Sequence, residues 1–159
     1  MTPTEELFTA IREGRADHVR TMLAAQPVLL QSRDARGSTP LVLATYLGNL
    51  DVTKALVDAG ADLDARDAAG NSPLMGVAFK GDAAVADYLI AQGARVDTRN
   101  FTGGTALTFA AMFNRTAMVD LLLAAGADPA VRDEKNLSPA DHARSQGHGA
   151  LADRLTARP

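Results

Sequence analysis

The sequence contains three imidazoles, His18, His142 and His148. An imidazole can ligate a metal or carry a proton near neutral pH. His142 and His148 stand six residues apart, with Gly147 between them. That is not the spacing that puts two ligands on one helical face, and the glycine reads as a helix stop. All three are expected at the surface, with no metal. Asp141 adjoins His142, but neighbours on a helix do not face each other, so no catalytic dyad is expected. The chain has no cysteine, which removes disulfides, thiolate zinc sites and thiol nucleophiles. No serine sits in a nucleophile elbow. No lysine or threonine follows Gly103-Gly104 at the spacing a phosphate loop requires. Asp34, Asp67 and Asp133 fall in loops, where aspartate commonly bonds turn backbone. Neither catalysis nor a cofactor is expected.

Arginine recurs as Arg33, Arg66, Arg99 and Arg132. Such a series reads either as a solvated row beside the loop aspartates or as a contact for an acidic partner, and the solvated row is the expectation.

These residues hang on a chain of 159 residues, 47% apolar and 22% charged, with a net charge of −3. That suits one globular domain and gives no support for general binding to nucleic acid. No apolar run approaches the roughly 18 residues of a membrane span. The opening residues MTPTEELFTAIREG carry no basic end followed by an apolar core, so no signal peptide is read and a cytoplasmic, soluble protein is expected.

The organising feature is a period of 33 residues. Gly37, Gly70 and Gly103 keep it, as do Gly48, Gly81, Asn114 and Gly147, and Gly60, Gly93 and Gly126. Leu56, Leu89, Leu122 and Leu155 keep step with them. Thr39-Pro40, Ser72-Pro73 and Ser138-Pro139 each supply an N-cap hydroxyl and a proline at the first helical position; Thr105-Ala106 keeps only the cap. Each unit therefore predicts a helix of about two turns, a glycine or asparagine stop, a second helix bearing an apolar pair such as Leu89-Ile90, and an extended return. Thr2-Pro3-Thr4-Glu5 reads as a capping box that starts the first helix. The last helix is expected at about 149–157, with Leu151 and Leu155 inward and Asp153, Arg154 and Arg158 outward.

The segment "DARGSTPLVLATYLGNLDVTKALVDAGADLDAR" (34–66) resembles the ankyrin repeat at nearly every position. Residues 67–99 match well. Residues 100–132 match with Asn100, Ala106 and Asn114 in place of the usual aspartate, proline and glycine. Residues 2–33 read as a divergent N-terminal cap with an extra residue near Pro27, and 133–159 as a truncated C-terminal cap. The family's usual histidine is replaced by Val42, Met75, Thr108 and Asp141. The resemblance implies an all-α solenoid, one domain of five stacked helix pairs with short hairpin-like loops. It also implies a concave side lined by loop tips and by the pairs that precede each first-helix stop.

Those pairs are Tyr46-Leu47, Phe79-Lys80, Met112-Phe113 and Ser145-Gln146; the tips include Arg36, Ser38, Phe101 and Lys135. Of seven aromatics, Tyr46, Phe79, Phe101 and Phe113 fall at these nominally exposed positions, where folding does not require them. Tyr46, Phe79 and Phe113, taken as equivalent positions one repeat apart, are expected to form a contiguous strip widened by Leu47 and Met112. Lys80, Arg36, Arg115 and Lys135 would supply a charged rim. Phe109 is expected in the core. An exposed apolar strip of this kind marks an interface. The expected function is binding of an unidentified protein partner through the concave side by a chain that is monomeric alone. Small bacterial ankyrin proteins, which the chain resembles, include inhibitors, immunity partners and enzyme accessory factors. The alternatives are a homo-oligomer that buries the strip against its own copy, and an accessory factor of a haem or oxidative-stress enzyme.

Overall fold

The computed structural model describes residues 1–157. Arg158, expected on the outer face of the last helix, lies outside the described residues. Among those residues there are ten α-helices in five pairs and no strand. The first pair is α1 (Pro3–Arg12) and α2 (Ala16–Ala25); the second is α3 (Pro40–Tyr46) and α4 (Leu50–Asp58). The third is α5 (Pro73–Lys80) and α6 (Ala83–Ala91), the fourth α7 (Ala106–Met112) and α8 (Thr116–Ala124). The last is α9 (Pro139–Ser145) and α10 (Gly149–Thr156), so the final helix ends one residue short of its expected limit. None of the helices is long and apolar enough to cross a membrane.

The ends of these short helices follow from local chemistry. Thr2 and Glu5 close a capping box, Glu5 N–H donating to Thr2 Oγ1 at 3.1 Å and Thr2 N–H to Glu5 Oε2 at 2.8 Å. Thr39, Thr105 and Ser138 accept from the amides of Val42, Thr108 and Asp141. Ser72 departs from the expectation. It occupies the cap position but its hydroxyl makes no capping bond; the Met75 amide that such a cap would bind donates instead to Ser72 O at 3.2 Å. Two of the residues replacing the family histidine take over a capping role. Thr108 Oγ1 accepts from Thr105 N–H at 3.0 Å and Asp141 Oδ2 from Ser138 N–H at 2.9 Å. Val42 and Met75 are instead buried. The extra length near Pro27 is taken up by a 3₁₀ turn, Pro27–Gln31, that buries Leu29.

The odd-numbered helices pack in one row, α1 on α3, α3 on α5, α5 on α7 and α7 on α9, while α2, α4, α6 and α8 form a second row behind them. The core runs between the rows. Leu56, Leu89 and Leu122, from the outer helices α4, α6 and α8, are all 0% exposed. Leu63 packs against both the N-terminal and the C-terminal groups of buried side chains and so bridges them. Each repeat buries its apolar face only against its neighbours, as a solenoid must.

Two members of the exposed arginine row, Arg33 and Arg99, bond backbone across neighbouring units. Arg33 Nη1 donates to the carbonyls of Gly37 and Arg66, each at 2.7 Å, the second lying one repeat away. Arg99 repeats the arrangement with Gly103 and Arg132. These guanidinium groups tie successive loops together through backbone carbonyls that the extended returns leave without a helical partner.

Candidate functional site

The three aromatic rings on the inner row meet. Tyr46 and Phe79 stack with centroids 6.4 Å apart and planes 16° apart. Phe79 and Phe113 meet edge to face at 4.6 Å and 79°. Tyr46 and Phe113 remain 42% exposed and Leu47 48%, while Phe79 and Met112 are half-buried. The strip is nevertheless staggered rather than equivalent from repeat to repeat. The 33-residue partner of Phe79 is Met112, and Phe113 aligns with Lys80 and Leu47. Phe113 is the residue at which α7 ends, its φ of −104° already outside the helix, just before Asn114 takes a left-handed φ of 55°. Leaving the helix there lets its ring reach Phe79.

The remaining expected site residues divide into two groups. Arg36, Ser38, Tyr46, Leu47 and Phe79 line a single groove of about 590 Å³. Lys80 Nζ lies 5.0 Å from the centre of the Tyr46 ring, a cation–π arrangement. Phe101, 67% exposed, lies instead over the preceding loop tip. Its amide donates to Ala69 O at 3.2 Å, and a Cβ on Gly70 would fall 2.7 Å from the ring. Lys135 is exposed on a later tip, away from the groove. Arg115, expected as part of the charged rim, stays exposed but donates from Nε to Phe79 O at 3.0 Å. It holds the end of α5 against the chain after α7.

Phe109 corrects the expectation of a core residue. It is half-buried, packs against the C-terminal core and also lines the groove. Its helix is buried along the side bearing Leu107, Ala110 and Ala111, and Phe109 stands at the margin of that side. The same position in the other inner helices is held by Leu43, Gly76 and His142. Gly76 is the gap in this row. It lies inside α5, not in a turn, and a Cβ there would meet only the Tyr46 side chain, Cδ2 at 3.5 Å and Cβ at 4.0 Å, ordinary contact distances. The groove opens where that side chain is missing. A reading of this column of the repeat would have found the gap; attention to aromatics alone passed over it. Gly76→Ala is expected to raise unfolding free energy by about 0.5–1 kcal/mol, because glycine costs about that much inside a helix. A urea midpoint moved upward with an unchanged slope would show it.

His142 also departs from the surface position expected of it. Its Nε2 donates to Asp133 Oδ2 at 2.6 Å, and the two side chains are only 12% and 11% exposed. Asp133 accepts in addition from the amides of Lys135 and Leu137. Burial works to raise the Asp133 pKa, but the bonds from His142 and from the two amides outweigh it and hold the carboxyl below its ordinary 3.8. A depressed folded-state pKa contributes stability above the unfolded value that disappears as pH falls through the folded one. The last loop and α9 are therefore expected to loosen first in acid, below about pH 3.8. Amide exchange between Asp133 and Leu137 should accelerate there ahead of the central repeats, and Asp133→Asn should flatten that dependence. Among the described residues no group of three or more histidines and carboxylates is placed to hold a metal.

A family model described as ankyrin repeats (3 copies) matches residues 4–67 and 66–133. The match spans the first four helix pairs, including every ring of the aromatic strip and all of the groove lining. With the helix pairs stacked in two rows and the 33-residue register kept, the chain belongs to the ankyrin repeat family and is a protein–protein interaction module.

Proposed function

We propose that this chain docks a partner polypeptide on the side formed by α3, α5 and α7, with Tyr46, Phe79 and Phe113 as the centre of the contact. The observation that carries this reading is the run of three adjoining rings, of which Tyr46 and Phe113 are each 42% exposed. The core beneath is already closed by Leu41, Leu74 and Leu107, so the rings are not needed to fill it. Aromatic side chains in such a position have the composition of an interface centre, where a few anchors supply most of the binding energy. A surface of this kind suits an inhibitor, an immunity protein or an accessory factor, which act by occupying a partner.

Affinity capture from a native cell extract, with the wild type and the Tyr46→Ala/Phe113→Ala double variant run in parallel, tests the proposal. A protein retained by the wild type and lost by the variant supports it; identical captures by both count against it. Light scattering over a dilution series separates the self-assembling alternative. A dimer that survives dilution and is broken by Phe113→Asp would assign the strip to a second copy of the chain.

A further inference from the structure

Ser72 carries the unused cap hydroxyl of the inner row. Thr2, Thr39, Thr105 and Ser138 each accept from an amide of their own helix, and Ser72 does not. The residue is only 2% exposed. Among the described residues no buried side-chain polar atom is shut away from solvent without a partner, so the little surface that Ser72 keeps includes its hydroxyl. Ser72 lines the groove one helical turn before Gly76, which adds no side chain there. Its neighbour Asn71 lines the groove as well. Asn71 Oδ1 accepts from Asn100 Nδ2 at 2.9 Å, which leaves the Asn71 Nδ2 donor free. The groove therefore offers an unmet hydroxyl and an unmet amide N–H beside the rings of Tyr46, Phe79 and Phe109. Its charges balance. Arg12 and Arg36 stand with Asp34 and Asp67 in the lining, and Arg12 lies 3.7 Å from Asp34.

We infer that the groove takes a tyrosine side chain of the partner protein, its ring among Tyr46, Phe79 and Phe109 and its hydroxyl accepting from Asn71 Nδ2 and donating to Ser72 Oγ. This rests on the concave side being the recognition surface. A charged side chain would meet both signs in the lining and gain no net counter-charge for the water it loses, which is costly. Phenylalanine would cover two polar groups and satisfy neither. An indole N–H only donates and leaves the Asn71 amide unmet. Serine, threonine, asparagine and glutamine bring little apolar surface to the rings. A phenol hydroxyl both donates and accepts, and its ring packs favourably on aromatic neighbours. A groove of about 590 Å³ has the size of an ordinary binding pocket, which spans roughly 300–1,000 Å³.

The test selects displayed random peptides on the full chain. The most enriched is then titrated as a labelled synthetic peptide by fluorescence anisotropy, beside a copy with phenylalanine in place of its tyrosine. Enriched peptides are expected to share one tyrosine and no consistent sign of charge. The phenylalanine copy is expected to bind the wild type more weakly, by about two- to tenfold for each hydrogen bond lost. In Ser72→Ala the ratio between the two peptides is expected to shrink toward unity. That variant is expected to keep the wild-type urea midpoint, because its hydroxyl caps nothing, whereas Ser138→Ala loses a cap and is expected to lower it. Weaker binding by Ser72→Ala is thereby distinguished from loss of folding. Peptides without a tyrosine, a phenylalanine copy that binds equally well, or a ratio unchanged in Ser72→Ala overturn the inference; so does a selection that enriches nothing. If such peptides are still lost on Tyr46→Ala/Phe113→Ala, the recognition surface stands and only its preference for tyrosine fails. If they survive that variant as well, the concave reading fails with it.

Discussion

Leu89→Ala and Leu122→Ala are each expected to lower the unfolding free energy by about 2–5 kcal/mol, the range for removing a fully buried leucine side chain and leaving part of its volume empty. Both are 0% exposed and lie in outer helices with a repeat on either side. The outer helices cannot close the cavity by shifting, because each is held between neighbours. Leu155 offers the contrast. It is 4% exposed, so its burial is nearly the same, but it belongs to α10 at the end of the array and has a repeat on one side only. Its truncation is expected to cost less. Urea melts of the three variants, followed by helical circular dichroism, make the comparison directly. Equal losses at all three positions would mean that stacking on both sides adds nothing to burial within a pair.

The second large effect falls on binding. Tyr46→Ala and Phe113→Ala are each expected to weaken the partner complex by about 1–4 kcal/mol, the span measured for aromatic anchors at interface centres. Their effect on folding should stay near 1 kcal/mol or below, since each ring is 42% exposed and forfeits one aromatic contact worth about 0.5–1.5 kcal/mol. Leu107→Ala, in the same helix as Phe109 and 0% exposed, should do the reverse. It should cost about 2–5 kcal/mol of stability and reduce binding only through the unfolded fraction. Phe109→Ala is expected to lower both quantities, because the ring packs on the core and lines the groove. Melting and titrating the four variants with a captured partner separates the two surfaces of one short helix. Affinity unchanged by Tyr46→Ala and Phe113→Ala would remove the strip from the interface.

The repeat register was legible because its causes are local. A hydroxyl and a proline start a helix, and a residue that tolerates a left-handed conformation stops it. A leucine recurring every 33 residues returns to the same place in each unit. From these alone follow the five helix pairs, the capping box at Thr2 and Glu5, and the burial of Leu56, Leu89 and Leu122. The candidate surface was legible in its composition, since aromatic residues stood where the fold has no use for them. Its geometry was not. Whether Phe113 touches Phe79 depends on how far α7 is displaced along α5 and on where its backbone leaves the helix. Phe113, expected as the equivalent of Phe79, stands one residue beyond it, since the 33-residue register aligns Met112 with Phe79. Arg33 and Arg99 reach carbonyls 33 residues away, Arg115 reaches Phe79 O across 36, and His142 finds Asp133 across a loop. The arginine partners are set by the spacing of stacked helices, a distance that no local preference encodes. The gap at Gly76 shows both levels together. The missing side chain is written in the sequence, but it becomes a groove only because Tyr46, Phe79 and Phe109 converge around it from three helices.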